Sequence, residues 1–370
     1  MSDAVLLRLG LGDEVKAIED ATLFQRNYGQ SKPTQAASVA FAIGAHYAEK
    51  EDWDKTQASL KGSMSLIDRA GVDVQVQAHA TLARAYAKMK GDQGAKMEYA
   101  RVRDIWKDPG AAEKKLNDAY PTEDKDAKTK RLAKALNAVG EAIFYNAEEQ
   151  RHIIVDPINF PVYRGAGQKD EVLKHVNTKV KDWMKKKEEA ISKVELDYKK
   201  IVDMQPEPPP RWVIAAGSRV GLMWGKYVDD FRSAPYPADW DKKGFVPGTA
   251  DTLSYAELRS NYWAALDGAS QPIKDAKAKP ALVTCLSYSV KYQYFDDFSR
   301  SCEVWLAKNY KSEYHVVDEL RGAATLSNSG LEDKSPPLLV GGQFWHPAPV
   351  GEPDKKADDK KDDKAPAGKK

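Results

Sequence analysis

Cysteine is almost missing from this chain: Cys285 and Cys302 are the two present. A disulfide framework and a cysteine-rich zinc site are therefore excluded. What remains is either one bridge or two small buried residues on neighbouring helices, and the usual burial of free cysteine favours the second. Long apolar runs are missing too. Stretches such as Trp212–Ala216 are only a handful of residues long, whereas a membrane-spanning helix needs roughly 20. The start, MSDAVLLRLGLGDEVKAIEDA, lacks the charged-then-apolar order of a secretory signal and already reads as folded helix. Neither sign of charge dominates: 57 basic and 55 acidic residues leave a net +2. A nucleic-acid binder needs a basic face to displace counterions from phosphates, so none is expected as partner.

Catalytic signatures are equally scarce. The six histidines, His46, His79, His152, His175, His315 and His346, include no pair three to five residues apart, so helical metal-ligand spacing is missing. No nucleophile elbow, P-loop or dinucleotide fingerprint occurs. YRGAGQ (163–168) is a glycine-containing turn before a helix, without the Lys-Ser/Thr pair of a phosphate loop. The pairs Asp229–Asp230 and Asp296–Asp297 read as solvated helix ends, because adjacent helical residues point in different directions. The run Lys185–Lys187, followed by Glu188 and Glu189, reads as a solvated helical face. No metal, cofactor or enzymatic activity is expected.

What is present is helical pattern. Over the first 150 residues apolar side chains recur at spacings of three and four, alanine is abundant and strand-like alternation is absent. AFAIGAHYAE (40–49) and HATLARAYAK (79–88) place a small residue three before a tyrosine, and Tyr47 and Tyr86 are 39 residues apart. With the tyrosines equated, Ile43 matches Leu82, Gly44 matches Ala83, Thr56 matches Ala95 and Leu60 matches Tyr99. Each unit is a helix, a polar turn (EKEDWDK; KMKGDQG) and a second helix. One such unit cannot bury its apolar face alone, so units stack.

Gly44–Tyr47–Thr56–Leu60 and Ala83–Tyr86–Ala95–Tyr99 resemble the tetratricopeptide repeat. Thr56 departs from the usual alanine, and the period of 39 exceeds the family's roughly 34. The surplus is expected near Asp68–Val74, in the second helix or its exit turn. LGLGDEVKAIEDATLF supplies a turn and second helix, with Ala17 in the place of Thr56 and an incomplete first helix, as though the chain begins inside a longer array. Leu136–Gly140–Ile143 is a fourth candidate, and Ser289, Tyr292, Ser301 and Trp305 a degenerate one downstream. The resemblance implies an all-α, right-handed superhelical array of antiparallel helix pairs. It also implies a concave groove, lined by the first helices, that holds an extended peptide. Carried over residue by residue, the groove positions are Phe41, Ala45, Ala48 and Glu49, then Ala80, Arg84, Ala87 and Lys88, with Asn137, Glu141 and Tyr145 from the fourth candidate. Arg84 and Lys88 share a helix face and suit a partner's carboxylate.

Beyond residue 150 the rhythm breaks. DPINFPVYRGAGQ (156–168) is a loop, a helix from about 169 to 204 follows, and QPEPPP (205–210) ends it. RWVIAAGSRVGLMW resumes helix, and two further helices are expected at about 252–277 and 280–309. That segment and CEVWL are similar to C-terminal parts of large myxobacterial repeat proteins, some of which belong to cell-envelope or motility assemblies. The likeness spans roughly residues 130–350 and leans localisation toward the periplasm or envelope, with the cytoplasm as the other expectation. The organisation is thus repeats over 1–150, a non-repetitive helical segment over 151–279, a helix pair and cap over 280–350, and a disordered Lys/Asp tail over 351–370. Phe344 and Trp345, ahead of that tail, are expected to dock on the body. The function expected is a protein-binding scaffold. Two rivals are a structural protein that self-associates through the long helix, and an enzyme with a pocket among Trp212, Trp224, Tyr227 and Trp263.

Overall fold

The computed structural model describes residues 2–250 and 252–316, together with the backbone of a short antiparallel strand pair, Leu339–Val340 and Gln343–Phe344. The remaining apolar stretch and the charged tail 351–370, including the expected docking of Phe344 and Trp345, lie outside the described residues. Apart from that strand pair the architecture is all-helical. Among the described residues no helix is long and apolar enough to cross a membrane.

The N-terminal helices are α1 (Ser2–Gly10), α2 (Glu14–Tyr28), α3 (Pro33–Glu49), α4 (Trp53–Ile67), α5 (Val72–Lys88) and α6 (Asp92–Ile105). Their boundaries repeat. Helices α2, α4 and α6 begin at 14, 53 and 92, each 39 residues after the last, and α1, α3 and α5 end at 10, 49 and 88 on the same interval. The turns repeat bond for bond. Gly12, Glu51 and Lys90 all sit in the left-handed region, with φ of 79°, 57° and 59°. The next amide reaches back five residues each time: Asp13 to the Arg8 carbonyl (2.9 Å), Asp52 to Tyr47 (3.0 Å) and Gly91 to Tyr86 (2.7 Å). This is the Schellman closure, which satisfies carbonyls that the helix end leaves open. Glu51 and Lys90 adopt it without glycine's freedom, at a cost of about 1–2 kcal/mol each.

Small residues then set the packing. Ala17, Thr56 and Ala95 are wholly buried at equivalent places in the three units. A Cβ on Gly44 would stand 2.3 Å from Leu60 Cδ2, so only glycine lets α3 approach α4 this closely. The first helices α3 and α5 have 17 residues and α4 has 15, and the exit turn between α4 and α5 is just Asp68–Gly71. Helix α1, with 9 residues against the 17 of α3 and α5, is the short first helix of its unit: Val5 and Leu9 pack with Ala17, Ala21, Phe24, Ala36 and Val39.

After α6 the repeat stops. Helix α7 (Pro109–Ala119) is short, and α8 (Lys125–Gln150) runs on without a turn into a π-helical turn, Arg151–Val155. Helix α8 lies against α5 and α6 as a next first helix would. Its Gly140 instead faces Pro209 and Trp212, where a Cβ would meet atoms at 2.6 and 2.7 Å. Helices α9 (Lys169–His175) and α10 (Lys181–Val202) are joined by a π-helical turn, Val176–Val180, into the expected long helix. Helix α11 (Pro210–Arg232) is the central rod. Its Gly217, Gly221 and Gly225, each four residues apart, face Cys285, Leu282 and Trp305, so one glycine stripe seats α13 (Lys279–Tyr292) and α14 (Asp297–Asn309) against it. Helix α12 (Tyr255–Ile273) leads into α13 through a third π-helical turn, Lys274–Ala278.

The C-terminal helices decide between readings that the sequence left open. The stretch 280–309, read both as one helix and as a helix pair, is a pair, broken at Gln293 (φ 51°) and restarted by Asp296, whose carboxylate accepts from the amides of Phe298 and Ser299. In that pair Ser289 meets Ser299 (2.8 Å) and not Ser301, which bonds its own helix. Cys285 and Cys302 are buried, as expected, but joined by a disulfide. One apolar core runs from Val72 to Leu306. Trp212, Trp224 and Tyr227 belong to it; Trp183 stacks on Tyr227 at 5.0 Å, and Phe144 tilts against Trp212 at 5.1 Å.

Candidate functional site

The expected groove residues fall on α3, α5 and α8, and only some face solvent. Glu49 and Lys88 are exposed, and the Lys88 ammonium stands 5.9 Å from the Trp53 ring. Ala45, Ala48, Ala87 and Asn137 are half-buried. Phe41 packs on the Leu60–Ile67–Val74–Ala78–Leu82 cluster, and Ala80 is core, so both serve the seam between units rather than an open face. Tyr145 is half-buried with its ring 4.5 Å from that of Tyr99.

Arg84 and Glu141 are brought together, but as each other's partners. Arg84 Nε and Nη2 donate to the two Glu141 oxygens at 2.8 and 2.5 Å, and the Tyr99 hydroxyl donates to the same carboxylate at 2.8 Å. The guanidinium that the sequence offered to a partner's carboxylate is held here by an internal one. The physical reason is α8: by packing on α5 it carries Glu141 to Arg84. Attraction to Glu141 holds the Arg84 charge on, and burial together with that same carboxylate pushes the Tyr99 phenol far up.

Two further polar clusters lie on the same helices. Asp73, buried on α5, accepts from Arg131 (2.8 Å) and Tyr120, and the Arg131 guanidinium lies 3.6 Å from the Tyr120 ring centre. His79, only 4% exposed, is held between Glu98 (2.6 Å) and Asp68 (3.0 Å). Burial opposes its charge, but the bonds to the two carboxylates prevail and raise its pKa above the ordinary value.

A third cluster, which sequence reasoning missed, lies where α8 exits toward α10 and α11. Glu148 pairs with Arg151 (3.1 Å) and Arg219 (3.1 Å) and accepts from Tyr198. Arg151 also pairs with Asp156 (2.8 Å), and Lys226 with Asp230 (3.0 Å). Lys187 was read as part of a solvated run, yet it is 2% exposed. Its ammonium donates to the carbonyl of Val155 (2.9 Å), which also accepts from the Ile158 amide, and to the carbonyl of Ile158 (3.0 Å). Burial lowers its pKa. A signal did exist: Lys187 lies four after Trp183 and four before Ile191, on the buried stripe of α10. Beside it is a cavity of about 150 Å³ lined by Arg151, Asp156, Arg219, Met223 and Lys226 among others.

Among the described residues no group of three or more His, Cys, Asp or Glu is placed to hold a metal ion. No protein-family model, curated protein or solved structure matches this chain.

Proposed function

We propose that this protein is an interaction scaffold: a tetratricopeptide-like array whose three units wind as a right-handed superhelix and bind an extended segment of a protein partner. The observation that carries the reading is the 39-residue recurrence of helix ends, left-handed turn residues and backfolding amide bonds across α1–α6. Recurrence of that kind builds stacked units with one continuous face, the architecture repeat proteins use for binding. The groove proposed is narrower than the sequence implied. It keeps Ala45, Ala48, Glu49, Ala87 and Lys88, and closes at Arg84–Glu141, where α8 fills it.

The test is site-directed photocrosslinking in the full chain. A crosslinking residue at Ala48 or Ala87 should capture the same partner, while one at the exposed Lys61 of α4 should not. Equal capture from all three positions would remove the groove from consideration.

A second reading, self-association in a structural assembly, is favoured by one observation. Leu7, Leu11 and Val15, at the outer edge of α1 and α2, are 65%, 76% and 69% exposed. Apolar surface of that kind commonly marks an interface. Light scattering behind size exclusion distinguishes the readings: self-association predicts a mass that rises with concentration and returns to monomer in Leu11→Glu/Val15→Glu.

A further inference from the structure

The cleft between the α8 exit turn, α10 and α11 is built around an uncompensated charge. Its lining and their partners hold four cations, Arg151, Lys187, Arg219 and Lys226. Three carboxylates answer them: Glu148 serves Arg151 and Arg219, Asp156 serves Arg151, and Asp230 serves Lys226. The surplus positive charge is that of Lys187. Its hydrogen bonds go to two neutral carbonyls, and Asp156 and Asp230 act on it only at longer range. An ammonium carries three N–H groups, so one remains for a further acceptor. A buried charge without a counter-ion costs several kcal/mol. A bound anion would offset that cost.

We propose that this cleft binds a small oxyanion, a phosphate or a carboxylate, with Lys187, Arg219 and Lys226 as its donors. The volume agrees. About 150 Å³ is room for roughly five waters at about 30 Å³ each. That suits phosphate or acetate, and is too little for a drug-sized ligand, whose pockets begin at about 300 Å³. The floor is rigid, because Lys187 is anchored to the backbone at both Val155 and Ile158. The rim is adjustable, because the Lys226 side chain is 66% exposed. The inference does not depend on the scaffold reading. The same chemistry is offered to a free ion and to the carboxylate end of a peptide.

The experiment is calorimetric titration of the full chain with inorganic phosphate, with acetate, and with a short peptide bearing either a free or an amidated C-terminus. Chloride at matched ionic strength is the reference. At least one oxyanion should bind saturably, with a Kd of about millimolar or tighter. Preference for the free over the amidated peptide would assign the source to a chain end, and phosphate or acetate alone to a free ion. Lys226→Gln should weaken that Kd several-fold and leave the melting temperature of the free protein unchanged, and Lys187→Met should abolish binding. Lys200→Gln, an equally exposed lysine with its own aspartate partner, should bind like the native chain. Because Lys187→Met removes a structural donor and can fail to fold, the contrast between Lys226→Gln and Lys200→Gln decides on its own. No saturable response to any oxyanion, or identical affinities in those two variants, overturns the proposal.

Discussion

Arg84 of α5 and Glu141 of α8, 57 positions apart in the chain, form a bidentate ion pair that Tyr99 completes from α6. The pair ties the last 39-residue unit to the first helix that departs from the rhythm, and it occupies both oxygens of Glu141.

Arg84→Ala should therefore destabilise the fold. Breaking a fully buried pair costs about 3–5 kcal/mol. Here the Glu141 side chain is 8% exposed and that of Arg84 39%, so water reaches one side and the expected loss is about 2 kcal/mol. Glu141→Gln, which keeps an acceptor for Tyr99, should cost less. Urea unfolding measures both. A loss below about 0.5 kcal/mol for Arg84→Ala would make this an ordinary surface pair.

Two glycines of the same helix pair should respond with opposite signs. Gly44→Leu must displace Leu60, whose Cδ2 lies 2.3 Å from the new Cβ, and should cost about 1–3 kcal/mol by overpacking. Gly62, on α4, has nothing within 4 Å of a Cβ, so Gly62→Ala should stabilise by about 0.5–1 kcal/mol through helix propensity. Thermal unfolding of the two variants side by side reads the difference; equal shifts would mean that the seam is not where the repeat puts it.

The disulfide closes a loop of sequence separation 17 between two buried sulfurs. Chain entropy over such a loop is worth about 3 kcal/mol. Cys285→Ala/Cys302→Ala should lower the melting temperature accordingly. Thiol titration of the unfolded, unreduced protein should find no free thiol, and two titratable thiols would refute the bridge.

His79 makes stability depend on pH in a stated direction. Its folded pKa is raised above the ordinary value of about 6.5, so folding favours the protonated form. The contribution is complete below about pH 6.5 and is lost as pH rises through the folded value. Unfolding free energy should thus decline as pH rises above about 6.5. His79→Gln should flatten that part of the profile while lowering stability most at acid pH. An unchanged slope in the variant would assign the titration to other groups.

The period was legible in the sequence because it is written in small residues. Ala17, Thr56 and Ala95 recur where two helices must touch, and any larger side chain there would be excluded by contact. The start of the third-from-last element was less legible. Gln293 carries no sign of its left-handed backbone, since glutamine is not selected for that region, and the break is visible only in the Asp296 cap that follows.

Helix content, the 39-residue unit and the close approach at Gly44 are properties of local sequence: each follows from spacing, turn chemistry and side-chain volume within one or two adjacent helices. The fate of charge is not local. Arg84 and Lys88 stand one turn apart on one helix, yet the first is bound to Glu141 and the second is exposed. Lys185 and Lys187 are two residues apart, yet one is exposed and the other buried beneath the end of α8. Which cation meets water is settled by the helix that arrives from elsewhere in the chain. Electrostatic energy depends on burial and on the nearest opposite charge in space, and neither is encoded in a residue's neighbours along the sequence.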